Sequence, residues 1–473
     1  MAERVHSTRL VSVAIVGLVT LIAFESMAVA TAMPVVAADL DAVRSYSLAF
    51  SLFFTASLLG MVLAGSWSDV NGPTVPLVAG MVLFAGGLVL CGVATSFFAL
   101  LVGRLVSGGG AGALVVTMYV VVAAVYPERA RPKVFGWVSA AWVLPAVIGP
   151  PIAGWLATDH SWRLVFLVVP PFALLALAML VSQIRALPKP VPGAAAPKDR
   201  RVRALLGLGI AVGAALLQWA VQQVSSPSTT AVVLGLVGIV LIAGSLPRLV
   251  PVGTLRVARG LPSVIAVRGL FTAAFFGAET YIPLALHAEK GLSLTLAGLT
   301  LTSGALGWAA GSWVQGRPRM HSSRHVLLST GAVLVALGVG GLSLSMLSNA
   351  SPWVAAPVWA LGAVGMGLAL SSTSVLVLGL SAPDEQGRNS AALQISDALG
   401  SICGVGLAGA VFATLHTSAG SDRDVYTTIW LALAVVALGA ALVGWRARPL
   451  HHPADERSPS SVERDESRSP VRP

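Results

Sequence analysis

Fourteen apolar stretches, each long enough to cross a bilayer, run through this 473-residue chain. A helix needs about 20 mostly apolar residues to cross the hydrocarbon core. The stretches fall at roughly 11–33, 46–66, 75–95, 98–124, 134–157, 162–183, 204–222, 229–247, 262–286, 293–314, 325–347, 353–379, 389–414 and 425–446. They are too long for strands, and in lipid only helices and closed barrels satisfy the backbone. The expected class is therefore an all-α integral membrane protein with 14 transmembrane helices. The longest polar segment between spans, after the sixth, has only about 20 residues, too few for a domain. The chemistry must lie inside the membrane.

The charge distribution orients the chain. Only 11% of residues are charged, against about 25% in a soluble protein. The net charge of +10 points toward nucleic acid, but its placement does not. Of the Lys and Arg residues, 24 lie on the side shared by the N-terminus, the even loops and the C-terminus, and four lie opposite: Arg44, Arg163, Lys290 and Arg423. Without the tail the ratio is still 18 to four. This positive-inside bias predicts that both termini are cytoplasmic. Cys91 and Cys403 fall inside spans, far apart, and offer neither a disulfide framework nor a metal motif. The N-terminal run resembles a secretory signal, but thirteen spans follow, so it reads as an uncleaved first helix.

An internal repeat divides the chain. Gly65-Ser66-Trp67 closes the second span, and Gly311-Ser312-Trp313 closes the tenth. Gly149 and Gly154 of the fifth span align with Gly404 and Gly409 of the thirteenth. The expected organisation is a six-helix bundle over 1–184, a linker over 185–203, two extra spans over 204–250, a second six-helix bundle over 251–448 and a disordered tail over 449–473. The two extra spans carry no Asp, Glu, Lys or Arg and read as spacers. Two six-helix halves with a site between them is a transporter plan.

Five charged residues fall within spans: Glu25, Arg104, Arg268, Glu279 and Asp397. Each is expensive there and needs a reason. Glu25 has apolar helical neighbours at Leu21, Ile22, Ala28 and Val29. Desolvation favours a neutral carboxyl, as a proton carrier requires; the plainer alternative is a carboxylate held by an Arg as structural glue. Arg104 shares its face with Gly108, Ala111 and Gly112, a small-residue face that packs on other helices. A Glu25–Arg104 interaction within the first half and an Arg bonded to backbone carbonyls are equally good readings. Arg268, Thr272, Phe275 and Glu279 share one face of the ninth span, and Ser390, Gln394, Asp397, Ser401 and Gly404 form a similar stripe on the thirteenth. Polar stripes of this kind face a cavity or another helix. Glu279 and Asp397 suit a cationic substrate or a second proton; inter-helix hydrogen bonding and a charge at the cavity mouth are their plainer readings. Trp137, Trp142 and Trp308 suit substrate contact, although an interfacial belt accounts for most tryptophans.

Four motifs resemble the major facilitator superfamily in its fourteen-span drug:proton antiporter branch. Glu25 is followed nine residues later by Pro34, similar to that branch's first-helix motif, which usually carries Asp. Gly65-Ser66-Trp67-Ser68-Asp69-Val70-Asn71-Gly72-Pro73 resembles the cytoplasmic gate motif, keeping Gly65, Asp69 and Gly72 but placing Val70 and Pro73 where basic residues are expected. Arg104 through Gly112 resembles the fourth-span motif, and Gly149-Pro150-Pro151-Ile152-Ala153-Gly154 the fifth-span antiporter motif, associated with export. The resemblance implies a monomeric, proton-coupled exporter in a bacterial plasma membrane, without cofactor, metal or nucleic acid, acting on hydrophobic compounds, cationic ones included. Glu25, Arg104 and Glu279 would couple protons, and Glu279, Arg268, Asp397, Gln394 and Trp142 would line the substrate cavity. A dedicated exporter of one metabolite or lipid, and a non-transporting membrane sensor, are the alternatives. No nucleophile–base set or nucleotide loop points to an enzyme.

Overall fold

The computed structural model describes residues 8–184, 198–224, 228–317, 324–382, 385–417 and 420–447. Among these the chain is helical, with no strand. The helices of the first half are α1 (Thr8–Asp39), α2 (Leu48–Asn71), α3 (Thr74–Gly92), α4 (Phe97–Val125), α5 (Arg131–Ala140), α6 (Val143–Trp155), α7 (Trp162–Leu167) and α8 (Val169–Ile184). A hairpin of α9 (Lys198–Gln222) and α10 (Thr229–Leu249) follows. The second half comprises α11 (Leu261–Lys290), α12 (Leu294–Gln315), α13 (Arg324–Gly341), α14 (Ala355–Leu380), α15 (Gln386–Leu415) and α16 (Arg423–Gly444).

Helix lies over each of the fourteen expected stretches, and twelve helical segments are long and apolar enough to cross a membrane. Two features reduce the count. Gly136–Val181 forms one continuous candidate, because a π-helical turn at Leu156–Ser161 replaces the expected loop between the fifth and sixth spans. Helix α12 is not among the twelve; it is rich in Gly, Thr and Ser, which lower its hydropathy. The fifth stretch is also broken at Ala141–Trp142. Pro145 has no N–H to offer the Ala141 carbonyl, and Thr20 of α1 donates to that carbonyl instead, at 3.4 Å. The expected linker is shorter than 185–203, since α9 begins at Lys198 among good helix formers; its residues 185–197, and the tail from 448, lie outside the described residues.

Glycine lets the helices approach. A Cβ on Gly112 would sit 1.9 Å from the Ser57 carbonyl oxygen, and one on Gly404 would sit 1.9 Å from that of Ala273. The pairs α2–α4 and α11–α15 are thus in backbone contact, as small-residue faces allow. Ser12 bonds the Tyr126 hydroxyl at 2.6 Å and Gly260 N–H donates to Arg446 O at 2.9 Å. These contacts, with the antiparallel run of α2 against α9 and α15, place the ends of the described chain at one end of the bundle, here the termini end.

The halves meet at the other, far end. Gly154 of α6 faces the backbone of Leu294 and Thr295 at the start of α12. Gly409 of α15 faces Ser47 at the start of α2, and Arg44 donates to Ala413 O at 3.0 Å. The glycines aligned in the repeat therefore occupy corresponding places. The rings of Tyr46 and Phe54 of the first half meet those of Tyr281 and Phe276 of the second at a tilt, with centroids 5.4 and 5.9 Å apart.

Candidate functional site

Among the described residues, two ion pairs join charged side chains that fall within the expected spans. In the first half, Arg104 Nη1 donates to Glu25 Oε1, with side chains 3% and 1% exposed. Arg104 Nε donates to Ala49 O at 2.9 Å, and its guanidinium lies over the Phe53 ring at 4.1 Å. Three helices therefore hold one cation. The small residues of α4 make room for it, since Gly108 lies against the backbone of Phe53. The other carboxylate oxygen, Glu25 Oε2, is buried with no hydrogen-bond partner. Such an atom is costly in a low-dielectric interior, and a proton on the carboxyl would change that balance directly.

In the second half, Arg268 Nε donates to Asp397 Oδ1 at 2.6 Å. Its Nη1 donates to Leu370 O at 3.0 Å and Thr373 Oγ1 at 2.9 Å. Thr272 and Ser401 bond the Asp397 carbonyl at 3.3 and 3.0 Å. The Asp397 side chain is 27% exposed, against 6% for Arg268, and Gln394 one turn away is exposed. Ala49 O lies close to the Tyr46–Tyr281 contact, whereas Arg268 is thirteen residues from Tyr281 toward the termini end. At 1.5 Å per residue the two pairs differ in depth by about 15 Å.

Glu279 stands apart from both. It is half-buried on α11, one turn from Phe275 and Phe276, whose rings meet Trp308 at 5.6 and 6.3 Å. Among the described residues, no hydrogen bond or ion pair joins it to Glu25 or Arg104. Trp142 caps the start of α6 and is 40% exposed. The gate-motif residue Gly72 ends α2 with φ +77°, a conformation that favours glycine, and its N–H donates to Ser68 O at 2.9 Å. Gly65 lies against α4 near Val116. The Asp69 side chain lies outside the described residues.

The prolines of the fifth-span motif do visible work. Pro151 cannot donate to the carbonyl four residues back, so Val147 O is free, and Thr302 of α12 donates to it at 3.4 Å across the seam between halves. Pro150 packs against Gly298 of α12, and Phe24 and Met27 of α1 lie against Gly149. Sequence reasoning missed Thr302, Thr373 and Phe53. The signal for Thr302 was the unsatisfied carbonyl that any intrahelical proline leaves.

Known proteins resemble this chain in sequence and in fold. A Staphylococcus aureus (strain N315) multidrug efflux pump is 23% identical over 432 residues, covering 90% of this chain and 94% of the pump. An uncharacterised transporter of Schizosaccharomyces pombe is 32% identical over 168 residues, 36% of this chain. The chain spans only 28% to 56% of the length of three of the curated relatives it matches. Among solved structures, a peptide transporter in complex with sulfate superposes with TM-score 0.69 at 13% identity, over 92% of this chain and 93% of that one; at that identity the likeness is one of fold. The sequence pattern described as Major Facilitator Superfamily matches residues 15–405 and 319–473. With two helical halves, paired charges in membrane-spanning helices and a match across nearly its whole length, the chain belongs to the Major Facilitator Superfamily of membrane transporters.

Proposed function

We propose that the chain is a proton-coupled exporter that moves hydrophobic compounds, cationic ones included, out of a bacterial cell by alternating access. It passes the plasma membrane fourteen times as a monomer, with both termini in the cytoplasm. The observation that carries the reading is Glu25: one oxygen is held by Arg104 and the other is buried without a partner. Protonation would neutralise the carboxyl and loosen Arg104, whose remaining partners, Ala49 O and the Phe53 ring, lie on α2. Because α2 also meets α15 at the far end, a change at Glu25 is coupled through α2 to the contact between halves. Asp397, with Gln394 beside it, and Glu279 near Trp308 supply the polar and acidic groups of the substrate path. The efflux activity named for the staphylococcal relative agrees with this direction of transport.

Proteoliposomes with an internal pH-sensitive dye test the proposal. With ethidium as substrate, a proton flux is expected that depends on both the protein and ethidium. Ethidium accumulation without proton movement would remove the coupling; neither movement would remove ethidium and the class it represents. Reporter fusions near Lys198 and Lys290 test the topology, with a cytoplasmic and a periplasmic signal expected. Two cytoplasmic signals would contradict fourteen passes.

A further inference from the structure

The seam between α6 and α12 is closed at the far end and opens toward the termini end. Gly154 meets Thr295, Pro150 meets Gly298, and Val147 meets Thr302. The same antiparallel register, carried to the start of α6, sets Val143 opposite Leu306; beyond the break at Ala141–Trp142, Trp137 and Lys133 on α5 and Trp313 and Arg317 at and just beyond the end of α12 lie further toward the termini end. Contact does not continue along it. Val143 is 44% exposed, Leu306 53%, Trp137 41% and Trp313 66%. The corresponding seam on the other side of the molecule is covered: α9 lies over α2 and α15 there, with Leu58, Ile210, Ala214, Leu399 and Ile402 in one apolar cluster and Gln218 donating to Thr55 at 3.2 Å.

The two lips of the open seam are chemically alike. On α5 the Lys133 ammonium lies over the Trp137 ring at 5.4 Å, and beyond α12 the Arg317 guanidinium lies over the Trp313 ring at 3.9 Å. Both pairs lie close to the termini-end ends of their helices, the depth at which tryptophan and basic residues meet lipid headgroups. Between them and the closed end the walls are apolar, and none of α5, α6 and α12 carries an acid.

We propose that this seam holds an anionic phospholipid from the bilayer leaflet at the termini end, its phosphate between Lys133 and Arg317 and an acyl chain along Val143 and Leu306. A lipid is the fitting occupant because the cleft is apolar within, basic at the headgroup level, and lies on the face that the α9–α10 hairpin leaves uncovered. Its presence favours the arrangement that is open at the termini end, since closing the seam must expel it.

The test uses the full-length protein in bilayers of equal parts phosphatidylglycerol and phosphatidylcholine, with a benzophenone amino acid in place of Leu306. After irradiation, adducts are weighed by mass spectrometry. Phosphatidylglycerol should exceed phosphatidylcholine at this position by roughly tenfold, as two basic residues near an anionic headgroup permit. The double substitution Lys133→Gln, Arg317→Gln should return the ratio to that of the bilayer, whereas Lys133→Arg with Arg317→Lys should preserve it. The same photoreactive residue at Val240, on the hairpin, should label both lipids equally. No adduct at Leu306, equal labelling there, or an enrichment that survives the double Gln substitution would overturn the proposal. None of these readouts depends on transport, so a failed transport assay leaves the lipid result standing.

Discussion

The Glu25–Arg104 and Arg268–Asp397 pairs each join a carboxylate to an arginine, in opposite surroundings. The first is sealed: both side chains are almost fully buried and one carboxylate oxygen has no partner. The second is open at its acidic end, and its Arg donates from Nε to a carboxylate and from Nη1 to a carbonyl and a hydroxyl. The first joins α1 to α4 near the end where the halves touch. The second joins α11 to α15, about 15 Å away in depth, toward the end where the α6–α12 seam parts. In the proposed mechanism the sealed pair takes up and releases the proton, and the partly solvated pair holds geometry and meets the substrate.

Removing Arg104 should break the comparison most severely. Arg104→Leu leaves Glu25 buried without its cation, and loss of one partner of a buried pair costs about 3 kcal/mol or more. A marked fall in melting temperature in detergent is expected, largely reversed by adding Glu25→Gln. Wild-type stability of Arg104→Leu alone would show that the pair is not buried as described. A smaller effect is expected from Asp397→Asn. Arg268 keeps Leu370 O and Thr373, and only a charge-assisted bond of about 1.5–3 kcal/mol is weakened. Half-maximal ethidium concentration should rise while folding is retained; uniform loss of transport for every substrate would instead place Asp397 in the coupling step. The smallest effect should come from Gln218→Leu on the hairpin. Thr55 still donates to Ser51 O at 2.8 Å, and Gln218 Oε1 is itself buried and unpartnered. A stability change under about 1 kcal/mol follows, read as thermal denaturation, with transport unchanged. Abolished transport in a stably folded variant would make the hairpin more than a cover over one seam.

Much of this was legible in the residues. The apolar runs marked the helices, and Arg104 on a small-residue face pointed into protein rather than lipid. The structure brings it to Glu25. The Arg268–Asp397 contact was not legible, because it depends on how closely α11 and α15 approach. Gly400 against the Gly269 carbonyl and Gly404 against that of Ala273 allow it, and glycines do not announce their partners. The breaks around the fifth and sixth spans were hidden for another reason. Hydropathy does not register a missing N–H, so Pro145 looked like an ordinary apolar position and Pro151 stood out only as part of a motif, although both free the carbonyls that Thr20 and Thr302 approach. The open seam was invisible too. Exposure of Leu306 and Trp313 is a property of two helices diverging, and either residue would suit a closed interface equally well.

The central claim is that the sealed pair carries the coupling proton, and Glu25→Gln tests it most directly. Glutamine keeps the shape and a hydrogen-bond acceptor for Arg104 but cannot alternate between charged and neutral forms. In proteoliposomes with an imposed pH gradient, the variant should insert and exchange ethidium down its concentration gradient. It should lose accumulation against that gradient, and Glu25→Asp should retain part of it. Accumulation by Glu25→Gln at the wild-type rate would contradict the account and leave Glu25 a structural partner of Arg104.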